Sequence, residues 1–173
     1  MSTRDEVLAS IRSRRVVRTM TDDPVTPEDL AAIADAARWA PSAGNRRLQP
    51  IVTVTDQAVL RRLRMVSPGM LARPQAALVV CIDTARAGTF GFAPDNPGLF
   101  IDVGTKAATI LLATHAVGLA AEPVTSFSRV AAAVLLGLDR GTEPRLMVCI
   151  GHPAASQPPP MGGWARSPGG PRP

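Results

Sequence analysis

Ala76-Ala77-Leu78-Val79-Val80-Cys81-Ile82-Asp83 is a nearly continuous apolar run closed by an acid. Its length suits a strand, and it offers no polar face to water. That is the signature of a central strand covered on both sides. The rest of the fold is read outward from it. Upstream, Ile51 to Thr55 is a second β-rich run, and Asp56 then caps a helix carrying Leu60, Leu63 and Val66 until Pro68-Gly69 ends it. Further upstream, Thr26-Pro27-Glu28-Asp29 starts a helix, with proline in the first turn where its missing N–H costs nothing. Leu30, Ile33, Ala34 and Ala37 form its apolar stripe, and Pro41 stops it. Thr3-Arg4-Asp5-Glu6 reads as a capping box with Thr3 at the N-cap, leading a helix whose Val7, Leu8 and Ile11 share one face.

Downstream, Thr84 to Gly98 reads as a loop long enough to be a lid or pocket wall. Leu99 to Val117 is the longest helix, small-residue-rich and apolar on more than one face. It should therefore be deeply buried or lie between subunits, with Gly118 as its C′ residue. A short strand near Ala120 to Val124, a helix of roughly Arg129 to Leu136 and a strand from Arg145 to Gly151 complete the order. Helices alternate with strands without strict βαβ repetition. The expected class is α+β, a three-layer α/β/α domain on a mixed, mainly antiparallel central sheet flanked by helices. Residues 1–153 form that domain. Residues 154–173 are a Pro/Gly-rich tail with Trp164 as its one large apolar anchor, suited to lying extended over a partner.

At 173 residues and 46% apolar content the chain can bury a real core. The net charge of +5 invites a nucleic-acid reading, but the arginines are scattered, and at 3% aromatic with no Tyr the chain lacks stacking platforms for bases. A solvated basic surface follows instead. Lys106 is the only lysine. Cys81 and Cys149 each sit in an apolar strand-like run and read as inert core thiols. No secretory h-region opens the chain, and the apolar stretch from Ala107 to Ala121 is broken by His115 and too short to span a bilayer. The expectation is a soluble, cytoplasmic protein with no nucleic-acid or membrane partner.

Two stretches concentrate chemistry. Arg14-Arg15-Val16-Val17-Arg18 gathers guanidinium groups at the end of the first helix. Such groups can simply favour the negative pole of the helix dipole, yet their fork also suits a phosphate. Ala40-Pro41-Ser42-Ala43-Gly44-Asn45 ends a helix and opens a small-residue loop that runs through Gln49-Pro50 into a strand. Taken alone it is a helix stop and a turn. No Rossmann-type glycine turn is present, so a nucleotide cofactor would be held another way. His115 lies within an apolar helix and reads as structural, His152 follows a strand and is more open to a pocket role, and Asp102 reads as a helix N-terminal residue.

In order and spacing these stretches resemble the nitroreductase family of FMN-dependent oxidoreductases. Ile101-Asp102-Val103-Gly104, the helix through His115 to Gly118-Leu119, and Glu122-Pro123-Val124-Thr125-Ser126-Phe127 resemble its dimer-core helix and flavin-contacting loop. Leu135-Leu136-Gly137-Leu138 and Val148-Cys149-Ile150-Gly151-His152-Pro153 resemble its closing helix and strand. The resemblance runs from about Val7 to Pro153. It implies a homodimer that binds FMN, takes electrons from NADH or NADPH, and passes them by ping-pong hydride transfer through flavin N5 to a nitroaromatic, quinone or related electrophile. It further implies that Arg14, Arg15 and Arg18 face the phosphate and the N1/O2 edge, that Pro41, Ser42 and Asn45 come from the other subunit, and that Gln49 also binds the cofactor. Pro123, Val124, Thr125 and Ser126 would lie near N5, with Arg166 as a second phosphate ligand. No side chain need act as acid or nucleophile, since the cofactor carries the redox chemistry. A specialised biosynthetic flavoenzyme of the same fold and a flavin-holding protein without turnover are the other readings.

The chain departs from the family in four respects. Val16 stands where a serine is common, residues are added between Asn45 and Gln49-Pro50, Ile51 replaces a common aromatic, and the chain is short.

Overall fold

The computed structural model describes residues 2–155, so Trp164 and Arg166 lie outside the described residues. The elements run α1 (Thr3–Ser13), α2 (Pro27–Arg38), β1 (Ile51–Val54), α3 (Gln57–Met65), β2 (Ala76–Asp83), α4 (Thr84–Thr89), α5 (Pro97–Ala116), β3 (Ala120–Val124), α6 (Arg129–Leu135) and β4 (Thr142–Gly151). The sheet order is β1-β2-β4-β3, and all three pairings are antiparallel.

β2 is central, as its apolar run requires, and its alternation divides the core. Leu78, Val80 and Ile82 point to one side, where α2 brings Leu30 and Ile33 and α5 brings Leu99, Val103 and Ile110. Val79 and Cys81 point to the other, against Leu60 and Leu63 of α3 and Ala132 of α6. Helices on both faces of one sheet give the expected three layers. Strand β4 is longer than the sequence suggested, because Thr142 and Glu143 continue the pairing with Asp83 and Ile82 beyond an irregularity at Val80/Cys81.

The helix starts follow side-chain caps. Thr26 accepts from the Asp29 amide, and Asp56 from those of Ala58 and Val59. For α1 the expectation was one residue off: Ser2, not Thr3, is the N-cap, and its Oγ accepts from the Asp5 amide. The expected loop from Thr84 to Gly98 contains α4, because the Asp83 carboxylate accepts from the Arg86 amide and caps a short helix there. Gly118, at φ +79°, closes α5 as expected.

The inner face of α5 is buried, whereas Ile101, Gly104 and Ala108 on its outer face are exposed. Val7 and Ile11 of α1 are also half in water, so the described residues leave much of that helix's apolar face uncovered.

Candidate functional site

At the C-terminal end of α5, the chain leaves α1 through Arg14, and Val17 donates its N–H to Ala121 O of β3 at 3.0 Å. Ser13 Oγ and His115 Nε2 lie 2.9 Å apart. Ser13, Arg14, Arg15, His115 and Ala121 line a cleft of about 350 Å³. Arg14 Nη1 is buried there without a partner among the described residues. A buried donor left unpaired costs about 1–3 kcal/mol, which an anion in the cleft would recover. Arg15 behaves differently: its Nη1 donates to the carbonyls of Arg12 and Arg14 at 2.6 and 2.9 Å, so it closes the end of α1.

Arg18 is held from beneath. Glu122, 1% exposed on β3, accepts the Ala72 amide on Oε2 at 2.9 Å. Its Oε1 lies 3.1 Å from Arg18 Nε, out of line for a hydrogen bond, so the contact is ionic. The Arg18 side chain remains 49% exposed and can meet a ligand while paired. Burial, reinforced by the charge of Glu122, pushes the Cys149 thiol far up, and burial alone pushes Cys81 up to about 12. Both thiols are inert, as read from the sequence. Beyond Glu122, Pro123 is half-buried, Val124 turns into the core, and Thr125 and Ser126 are exposed. Ser126 O accepts the Gly69 amide at 3.1 Å. A Cβ on Gly69 would come within 2.8 Å of Ser126 Cβ, so only glycine permits this approach. His152 sits at the far end of β4, its Nε2 3.2 Å from Pro24 O.

The second predicted stretch lies at the other end of α5. Pro41 and Asn45 are exposed and Ser42 half-buried, and Ala43–Asn45 form a single 3₁₀ turn. Asn45 and Arg47 both adopt positive φ (54° and 53°), and the Arg47 amide donates to Ser42 Oγ at 3.1 Å. Three residues of α5, spaced to share one face, clamp this loop. Asp102 receives the Ala43 amide on both oxygens, at 3.1 and 3.0 Å, and Gln49 Nε2 at 3.2 Å. Thr105 Oγ1 donates to Pro41 O at 3.0 Å, and Lys106 Nζ to Gln49 O at 2.7 Å. Desolvation, then the Arg47 charge, lowers the Lys106 pKa, while Asp102 opposes the shift.

This corrects the reading of Asp102 as a mere helix N-terminal residue. It is a buried anchor, joined to Ala43 across 59 positions of sequence. Gln49, at 1% exposure, faces inward to Asp102.

Arg14 and Arg18 are not brought to Pro41, Ser42 and Asn45 within one chain. At 1.5 Å per residue, Asp102 and His115 stand about 20 Å apart along α5. Among the described residues no group of His, Cys, Asp or Glu could hold a metal ion, and no helix is long and apolar enough to cross a membrane.

An α+β domain with guanidinium groups at the edge of its sheet and a small-residue loop at the far end of a buried helix is the class these observations define. The nitroreductase family model matches residues 11–152, and the chain belongs to the nitroreductase family. It is 30% identical over 161 residues to an NADPH-flavin oxidoreductase of Vibrio harveyi, a match covering 86% of this chain and 66% of that one. It is 31% identical over 119 residues to a putative NADH dehydrogenase/NAD(P)H nitroreductase of Methanothermobacter thermautotrophicus, covering 67% of this chain and 59% of that one. Among solved structures, a putative NADH dehydrogenase/NAD(P)H nitroreductase from Parabacteroides distasonis superposes with a TM-score of 0.76 at 25% identity, covering 91% of this chain and 94% of that one. The chain spans between 47% and 66% of the length of the first curated relatives it matches.

Proposed function

We propose that this protein is an FMN-dependent oxidoreductase that takes electrons from NADH or NADPH and delivers them to a small electrophilic acceptor such as a nitroaromatic or quinone. The observation that carries the reading is Arg14 Nη1, buried in its cleft with no partner among the described residues, within a chain of the nitroreductase family. The donor set fits the cofactor: a fixed guanidinium for a phosphate, and a second, half-exposed one for the anionic edge of a ring.

When bound, FMN supplies the hydride chemistry. The chain's own residues bind and orient. Arg14 would hold the phosphate. Arg18, kept in place by Glu122, would supply positive charge to the ring's anionic edge. The backbone from Pro123 to Ser126 would border the ring, its path fixed by the hydrogen bond from Gly69 to Ser126 O.

Pro41, Ser42 and Asn45 complete the site from a second copy of the chain. The separation along α5 supports this arrangement, and so do the exposed Ile101, Gly104 and Ala108 on that helix with Val7 and Ile11 on α1. A homodimer would cover those apolar surfaces. Arg15 closes α1 in this arrangement and contributes charge rather than contact. The part assigned to Arg166 concerns a residue outside the described ones.

The test is spectroscopic. Purified protein should carry or take up FMN in preference to FAD, and addition of NADH or NADPH should bleach it until a quinone restores the colour. A protein that ignores FMN overturns the reading. One that binds FMN but oxidises neither nucleotide is a flavin-holding protein.

A further inference from the structure

A second cleft, of about 360 Å³, opens between α2, the segment before β1 and α5, on the far side of the clamped loop. Arg38 from the last turn of α2, Arg47 from the loop and Lys106 from α5 line it together with Gln49 and Thr53. No carboxylate lines it among the described residues. Asp102, one turn from Lys106, is already engaged by the Ala43 amide and the Gln49 carboxamide.

Lys106 is 8% exposed, and Gln49 O is the hydrogen-bond partner of its Nζ among the described residues. An ammonium group has three N–H donors, so two are left over. Arg47 repels the Lys106 charge more strongly than Asp102 attracts it. Two cations facing one cleft, one of them nearly out of water, form an electrostatic arrangement that a bound anion would complete.

One of the three cations comes from a segment in which this chain departs from its resemblance to the family. Arg46 and Arg47 belong to the added residues between Asn45 and Gln49. Arg46 is occupied over the Phe90 ring at 4.3 Å, whereas Arg47 turns to the cleft. Arg47 is held at φ 53°, a conformation rare for a side-chain-bearing residue, by its amide bond to Ser42 Oγ. Lys106 is the sole lysine of a chain that otherwise uses arginine for positive charge. A compact ammonium on a flexible stem fits a buried wall that a planar guanidinium would not.

We infer that the Arg38–Arg47–Lys106 cleft binds a phosphomonoester dianion. Two guanidinium forks and an ammonium match such a group in charge and donor number, and Thr53 Oγ1 adds a hydroxyl at the rim. The inference does not need the flavin reading, but the cleft is lined by Gln49 and adjoins the loop of residues 41–45 that the proposed dimer lends to the partner's flavin site, so the two are separated by experiment.

The experiment is calorimetric titration of inorganic phosphate into protein loaded with FMN and then freed of excess, so that the flavin site is filled and this cleft is not, against potassium chloride of equal ionic strength. Phosphate should bind saturably, one per chain, and raise the melting temperature where chloride does not. Arg38→Ala removes one exposed side chain clear of that loop and should keep the FMN-loaded melting temperature in chloride, whereas Arg38→Ala/Arg47→Ala also frees Asn45 Oδ1, which Arg47 Nε meets at 3.4 Å, and is read on phosphate alone. The double variant should weaken phosphate at least about tenfold, since each charge-assisted hydrogen bond carries roughly one to two decades. Lys106→Met should weaken it similarly, and if that variant fails to fold the arginine pair decides alone.

Absence of saturable binding, or binding untouched by the arginine substitutions, overturns the inference. If the protein takes up no FMN, the same titration on cofactor-free protein still reads this cleft, because only this site responds to Arg38 and Arg47. Competition by NADP⁺ but not NAD⁺ identifies a ribose phosphate as the source, and competition by neither identifies a free phosphomonoester. Equal competition by both points to the pyrophosphate and overturns the monoester assignment.

Discussion

The two ends of α5 use similar chemistry for opposite purposes. At the N-terminal end, the Asp102 carboxylate is buried and receives neutral N–H donors from the Ala43 backbone and the Gln49 side chain, which fasten the loop to the helix. At the C-terminal end, the Glu122 carboxylate is equally buried, but the cation it meets remains half in water. A carboxylate met by neutral donors makes a rigid support. One that reaches only the inner side of an arginine holds a charge ready for something else. Arg14, with a buried nitrogen that has no partner among the described residues, places the C-terminal end in the second category.

The comparison breaks most visibly at Asp102. Asp102→Ala strands the Ala43 amide and the Gln49 carboxamide and removes the countercharge of Lys106. The expected cost is about 3 kcal/mol of unfolding free energy, read from denaturant melts, since each buried donor left unpaired costs about 1–3 kcal/mol. A change under about 1 kcal/mol would mean that the loop does not depend on its clamp.

Arg18→Ala should leave the fold in place and act on the ligand. FMN affinity should fall by about one to two decades, equivalent to roughly 1.5–3 kcal/mol for a charge-assisted hydrogen bond. Fluorescence titration of FMN measures it directly. An unchanged affinity would make Arg18 a surface residue and remove the distinction between the two ends.

A double-mutant cycle on cofactor-free protein sharpens the contrast. Arg18→Ala leaves Glu122 buried and unpaired, whereas in a Glu122→Gln background there is no charge to strand. The coupling should be about 1 kcal/mol, below that of a fully buried pair because half of Arg18 is in water. Additive effects would show that Glu122 supports only the Ala72 amide.

The smallest effect is a pH dependence from Lys106. Its folded-state pKa lies below the ordinary 10.5, so between the two values the unfolded chain holds more protons. Stability contributed at this site should therefore rise as pH increases through that window and level off above 10.5. Comparison of melts for wild type and Lys106→Met isolates the slope, which the variant should lack.

Much of the fold followed from local chemistry. The run from Ala76 to Asp83 announced a central strand, and Thr26 and Asp56 announced helix starts, because caps and apolar periodicity act over a few residues. Ser2 displaced Thr3 as the first cap because both offer a hydroxyl and an acid stands three residues after each. Asp102 was misread for a different reason. A carboxylate near the start of a helix looks like a dipole partner, and nothing nearby in sequence reveals a contact 59 positions away. Glu122 is legible in principle: an acid inside an otherwise apolar strand needs a partner, and the arginines at 14, 15 and 18 are candidates. Arg15 lines the same cleft as Arg14, and only geometry shows that its Nη1 also closes the end of α1. The second cleft was beyond sequence reading, since Arg38, Arg47 and Lys106 meet only through the packing of α2 on α5.

The distance along α5 has a genetic consequence. If a working centre draws Arg14 and Arg18 from one chain and Pro41 to Asn45 from another, each chain carries two separable halves. A copy damaged only in the arginine segment and a copy damaged only in the loop, both inactive alone, would complement one another when co-expressed. The mixed pair would hold one intact centre and one that carries both lesions.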